Sequence, residues 1–184
     1  MTTELATRTD ITVIPFEGAT PRIHPTAFIA SGARIIGDVE IGELCSIWFN
    51  VVIRGDVHSI RIGRRTNVQD LTMCHVTHRR YSLTIGDDVT VGHSAVLHGA
   101  VIHDRVLVGM GAKVLDNSVV ESDSLIAAGA VVREGFRVPS GTLVAGVPAK
   151  VVRELNESER AAVAQGALNY EHYVARFRAD GCGW

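Results

Sequence analysis

The sequence predicts an all-β solenoid: a left-handed parallel β-helix of hexapeptide repeats, followed by a C-terminal α-helix. Three observations predict it. Aliphatic residues recur at every sixth position, first at Ile23, Ile29, Ile35, Ile41, Ile47 and Ile53, then at Ile62, Val68 and Cys74. The beat continues through Ile85, Val91 and Leu97, and then from Ile102 to Val132. A small residue or valine holds the fifth place of many units (Ala27, Ala33, Val39, Cys45, Val51, Val89, Ala95), and glycine often follows the aliphatic (Gly42, Gly63, Gly86, Gly92, Gly109). One such unit cannot bury its own apolar side, so the period is read before any local helix or strand.

Six residues make one short strand and a tight corner. Three units, 18 residues, close a triangular coil. Coils stack at the strand spacing of ~4.8 Å. Their inward aliphatics then form one continuous core, each coil touching mainly its neighbours. A β-sandwich would instead show period-two alternation with turn signals every ~8–12 residues.

Residues 1–20 read as an N-terminal segment, 21–153 as the β-helix domain, and 154–184 as a C-terminal helix and tail. Three breaks interrupt the beat. Ile53 to Ile62 is nine residues, so RGDVHSIR carries extra chain. Cys74 to Ile85 is eleven, so VTHRRYSLT (76–84) holds a loop, and Leu97 to Ile102 is one residue short. Loops that interrupt a rigid scaffold often carry its function. Residues 138–154 read as a last, proline-containing turn of the coil. From about Asn156 the pattern becomes helical, with Ser158 as the cap and an apolar stripe of Leu155, Ala162, Leu168, Tyr173, Val174 and Phe177. Gly166 is expected to break or kink this helix.

Formal charge is −2 and the isoelectric point about 6.4, which points to neither a nucleic-acid nor a membrane partner. The N-terminus lacks the basic-then-apolar pattern of a signal peptide, and no run is long enough to span a bilayer. Cys45 and Cys74 occupy core places of the repeat and Cys182 is left over. Reduced, structural thiols and a cytoplasmic setting are expected.

The register then places the histidines. His75 follows Cys74 and His98 follows Leu97, each at the same place in successive coils. Their backbones should lie ~5 Å apart with both rings facing out. His93 falls near a different edge of the triangle and would meet such a pair only on a neighbouring copy around a threefold axis. Three converging imidazoles are the ligand set of a catalytic Zn²⁺ with an open position. Beside them lie Arg54 and Asp56 in one coil, and Gln69 and Asp70 in the next. Such groups are costly on a protein face unless paired, so Arg54 should engage Asp56 or Asp70. Arg54, Asp56 and Asp70 can equally be members of a structural ion-pair network between subunits, whereas the neutral Gln69 is suited to orienting a metal-bound hydroxide.

RGDV (54–57), NVQDLTMCH (67–75) and GHSAVLHG (92–99) together resemble the γ-class carbonic anhydrase family, in its short form without the long acidic loop. The resemblance covers about 20–150 and the tail helix. It implies a homotrimer with sites between subunits, and His75, His98 and His93 as ligands of Zn²⁺, with Fe²⁺ or Co²⁺ also able to serve. It further implies a site role for Arg54, Asp56, Gln69 and Asp70. Tyr170 and Tyr173 resemble family tyrosines near the site, although ordinary helix packing explains them as well. The implied chemistry is reversible hydration of CO₂ to bicarbonate, the metal lowering the pKa of its water to ~7.

The chain departs from the family at the proton shuttle. Val57 stands where a glutamate follows the Arg-x-Asp motif in the prototype, and the 76–84 loop has no carboxylate. His58, His78 and Tyr81 are the substitutes available. The hexapeptide repeat is shared with acyltransferases, so an acyl-CoA transferase, a thioester hydrolase and a metal-binding scaffold are the competing readings.

Overall fold

The computed structural model describes residues 11–181. The N-terminal decapeptide read for targeting signals, and Cys182, lie outside them. The architecture is the predicted left-handed parallel β-helix with one C-terminal helix. The strands in chain order begin with β1 (Thr12–Ile14), β2 (Arg22–Ile23), β3 (Phe28–Ile29), β4 (Arg34–Ile41), β5 (Ser46–Ile47), β6 (Val52–Ile62) and β7 (Asn67–Val68). Next come β8 (Met73–His75), β9 (Leu83–Ile85), β10 (Thr90–Val91), β11 (Val96–His98), β12 (Val101–Ile102), β13 (Leu107–Val108) and β14 (Lys113–Val114). The last are β15 (Val119–Val120), β16 (Leu125–Ile126), β17 (Val131–Val132), β18 (Arg137–Val138), β19 (Thr142–Ala145) and β20 (Lys150–Glu154), followed by α1 (Glu157–Ala179).

These strands stack into three faces. The first runs β17-β14-β11-β8 onto the start of β6 and, through β4, onto β1. The second runs β18-β15-β12-β9 onto the end of β6, and through β4 onto β2. The third runs β20-β19-β16-β13-β10-β7-β5-β3. β4 and β6 each turn a corner within one continuous strand, and so belong to two faces.

Each aliphatic of the beat from Ile29 to Val132 is buried, most with no exposed surface, while Ile23 at the end of the stack is only partly covered. Burying one such side chain contributes ~1.5–3 kcal/mol, and that column holds the coil together. Corners are tight because every sixth residue takes a left-handed backbone: Arg105, Gly111, Asn117, Asp123, Gly129 and Gly135 all have positive φ.

The structure revises several expectations. β1 pairs in parallel with the start of β4, which adds Thr12–Ile14 to the ladder. The extra residues of RGDVHSIR form no loop. They are absorbed as a bulge inside β6, where the pairing jumps from Gly37↔Gly55 to Val39↔Ile60. The 76–84 insertion does hold the expected loop, a compact reversal closed by a Thr77↔Tyr81 bridge. The final turn is antiparallel: β20 reverses direction against β19.

The helix also differs in detail. Its cap is Asn156, whose side chain accepts from the Glu159 amide while the Glu159 carboxylate accepts from the Asn156 amide. Ser158 instead donates to Asn156 Oδ1. Val163, Ala167 and Val174 are its buried residues, and Val174 packs with the partly buried Tyr170 and Phe177 against Phe28, Trp48 and Phe49, whereas Leu168 and Tyr173 are exposed. The helix passes Gly166 unbroken, and this glycine lies close against the coil. A Cβ on Gly166 would sit 2.8 Å from Thr90 Oγ1 on β10.

Candidate metal centre

β8 and β11 are neighbours on the first face, and their register sets His75 directly opposite His98. The ring centroids are 5.1 Å apart. His75 Nδ1 faces His98 Nε2 at 3.1 Å. The other nitrogen of each ring meets a carboxylate: His75 Nε2 lies 3.0 Å from Asp56 Oδ1, and His98 Nδ1 lies 2.7 Å from Asp116 Oδ1. Each carboxylate is held in turn. Arg54 donates to Asp56 Oδ2, and Thr77 Oγ1 donates to Asp116 Oδ2 at 2.7 Å.

This geometry has a chemical consequence. Where each ring carries a single N–H and gives it to its carboxylate, each facing nitrogen is left with a bare lone pair. Two lone pairs at that separation repel unless they share a cation. Two nitrogen ligands on a tetrahedral Zn²⁺ at ~2.0–2.1 Å stand about 3.3 Å apart, close to the spacing found. A carboxylate behind the imidazole is also the usual support of a ligating histidine. The donor set therefore fits a metal. Burial is the largest influence on His75 and, with Arg54 nearby, holds its pKa below the usual imidazole value despite Asp56. The neutral, ligating form is favoured.

His93 lies elsewhere, just past the end of β10 on the third face, with Nδ1 2.7 Å from Asp70 Oδ2. Among the described residues no three His, Cys, Asp or Glu side chains converge to hold a metal. Gln69 shares the third face. It is buried, and its Nε2 donates to Asn67 Oδ1 at 3.1 Å, while Asn67 Nδ2 donates to Thr90 Oγ1 at 2.9 Å. Tyr170 packs edge-on against Trp48 with centroids 5.4 Å apart, and burial and then the Asp70 charge raise its pKa.

The predicted residues thus fall into two groups: Arg54, Asp56, His75 and His98 on the first face, and Gln69, Asp70, His93 and Tyr170 on or beside the third. The Arg54 partner is Asp56, while Asp70 serves His93. Of the shuttle candidates, His58 lines an open cleft of about 480 Å³ together with Asp56, Arg61 and Arg79. His78 is exposed, and Tyr81 lies beneath the Arg80 guanidinium, 4.8 Å from its ring centroid. Sequence reasoning missed Asp116 and Thr77. The signal for Asp116 was available, since it follows His98 by 18 residues, one full coil.

Comparison with known proteins shows the chain's relatives. A family model described as "Bacterial transferase hexapeptide (six repeats)" matches residues 20–55 and 99–134. The protein named "Gamma carbonic anhydrase 1, mitochondrial" from Arabidopsis thaliana is 44% identical over 165 residues, covering 87% of this chain and 60% of that one. "Carbonic anhydrase" from Geobacillus kaustophilus is 48% identical over 147 residues, 80% of each chain. The chain belongs to the γ-class carbonic anhydrase family. It spans about 60% of the plant relative's own length. A Bacillus cereus crystal structure, provisionally described as an acetyltransferase, is also similar, at 40% identity and a TM-score of 0.90 over 92% of this chain and 98% of that one. No helix among the described residues of this γ-class family member is long and apolar enough to cross a membrane.

Proposed function

We propose that the chain is a Zn²⁺-dependent carbonic anhydrase, interconverting CO₂ and water with bicarbonate and a proton, at sites shared between copies in a homotrimer. The observation that carries this reading is the pair of facing nitrogens on His75 and His98, each ring backed by a carboxylate. His93 of an adjacent copy would complete the ligand set. Fe²⁺ or Co²⁺ would suit the same nitrogens. Bound there, the metal would supply the Lewis acidity that makes water nucleophilic near neutral pH.

The remaining work falls to side chains. Asp56 and Asp70 hold the tautomers of His75 and His93. Arg54 holds Asp56 and brings positive charge beside the developing bicarbonate. Gln69, fixed through Asn67, orients the attacking oxygen or the product, and arrives with Asp70, His93 and Tyr170 from the adjacent copy. The proton leaves through His58, whose Nδ1 accepts from the Ser59 amide at 2.7 Å, leaving Nε2 for exchange with solvent in the cleft. The free, buried Cys45 and Cys74 suit a reducing, cytoplasmic setting.

Stopped-flow CO₂ hydration on protein loaded with Zn²⁺, Fe²⁺ or Co²⁺, with His98→Ala as control, tests the proposal. The expected result is a rate that needs metal and is lost in the variant. Stoichiometric metal with no hydration, together with turnover of an acyl-CoA thioester, would move the chain to the transferase or hydrolase reading.

A further inference from the structure

We infer that Asp116, gripped by Thr77, is the positioning residue that aims His98 at the metal. The inference rests on the metal reading above and adds to it the means by which the His98 ring is aimed. His98 ends β11 at a half-exposed site, so a free imidazole there would turn about its side-chain bonds. The Asp116 carboxylate stops that motion by accepting from His98 Nδ1 at 2.7 Å, which turns Nε2 toward His75. Its second oxygen is occupied by Thr77 Oγ1, also at 2.7 Å, so the carboxylate cannot swing away.

Two further features keep the arrangement in place. Thr77 opens the short reversal after β8, and its amide donates to the Tyr81 carbonyl at 3.1 Å, so the insertion that interrupts the repeat also fixes the hydroxyl. Gly99, directly after His98, has positive φ, and a Cβ there would lie 2.1 Å from Asp116 Oδ1 and 2.9 Å from the Tyr81 Cβ. The carboxylate reaches His98 only because position 99 carries no side chain. One inserted segment, one glycine and one acid from the following coil therefore converge on a single imidazole nitrogen. Loss of such a support typically weakens metal affinity by about 10–100-fold.

The test is Co²⁺ affinity by chelator competition, with the visible Co²⁺ spectrum and the thermal midpoint of the metal-free protein, for the full chain and for Asp116→Asn, Thr77→Val and Thr77→Ser. Asp116→Asn should weaken Co²⁺ by about 10–100-fold and change the spectrum. Thr77→Val should act in the same direction more weakly, Thr77→Ser should bind like the parent, and the metal-free midpoints should stay together. Parent-like affinity and spectrum in both Asp116→Asn and Thr77→Val would overturn the inference. So would weakened binding that follows a lowered metal-free midpoint and is not restored by serine, since that marks a merely structural role. If the parent chain binds no Co²⁺, the metal reading itself fails and this inference with it. If the Asp116 variant does not fold, the Thr77 pair decides.

Discussion

His93 meets the Asp70 carboxylate at 2.7 Å on one face of the coil, while His75 and His98 pair on another. Among the described residues no single copy joins the two groups, and the proposed three-histidine site would be complete only if the third face of one copy lay against the first face of the next.

That division predicts a complementation result. His93→Ala and His98→Ala should each lose metal and activity alone. Co-expressed in equal amounts, they should recover about a quarter of the sites, because an intact first face then meets an intact third face at that frequency under closed symmetry. Metal content of the mixed trimer measures it. No recovery would place all three ligands in one copy or remove the trimer.

Stability should fall toward acid in two stages. Burial holds His75 below its usual 6.5, so between that lowered value and 6.5 the unfolded chain binds more protons than the folded one. Metal-free protein should therefore lose stability as pH drops below about 6.5. Burial alone would raise Asp56, but bonds from Arg54 and His75 hold it below 3.8, and its contribution disappears only as pH falls through that lowered value. Denaturation midpoints across about pH 8 to 3 follow both stages. His75→Gln should flatten the upper one, and an unchanged profile in that variant would assign it to other groups.

Gly166→Ala should destabilise, against the helix preference of about 1 kcal/mol for alanine. The new methyl would displace Thr90 Oγ1, which accepts from Asn67 and so supports Gln69. An overpacking cost of about 1–3 kcal/mol is expected. Pairing it with Thr90→Ala should recover most of the loss in a double-mutant cycle. A simple gain in stability from Gly166→Ala would mean that helix and coil do not meet closely there.

Burial pushes the thiols of Cys45 and Cys74 up to about 12. In a Cys182→Ser background, a thiol reagent at neutral pH should label neither until the chain unfolds. Fast labelling of the native protein would show that the coil opens locally.

Much of this architecture was legible because a period of six encodes burial directly. The residues at the beat are the residues in the core, and the 23-residue interval from His75 to His98 resolves into one 18-residue coil plus a five-residue insertion. The register of the two rings follows from that arithmetic. Strand direction is another matter: nothing in the composition of 150–154 distinguishes a parallel from an antiparallel strand, so β20 was read as one more turn. The bulge in β6 was likewise hidden, since extra residues can leave a ladder or stay within it. On the helix, Leu168 and Tyr173 looked like core by hydrophobicity, but the face that packs is set by where Phe28 and Trp48 stand on the coil. Asp116 escaped because its partner is a coil away rather than nearby in sequence.

A stack of parallel rungs has no intrinsic length, and each exposed end can template the next strand of another molecule. The reversal at β20 answers this within the chain. The outermost rung of the third face presents its donors and acceptors in the opposite sense to those beneath it, so an incoming parallel coil finds no continuation of the pattern there. Growth of the third face in that direction is checked inside one polypeptide.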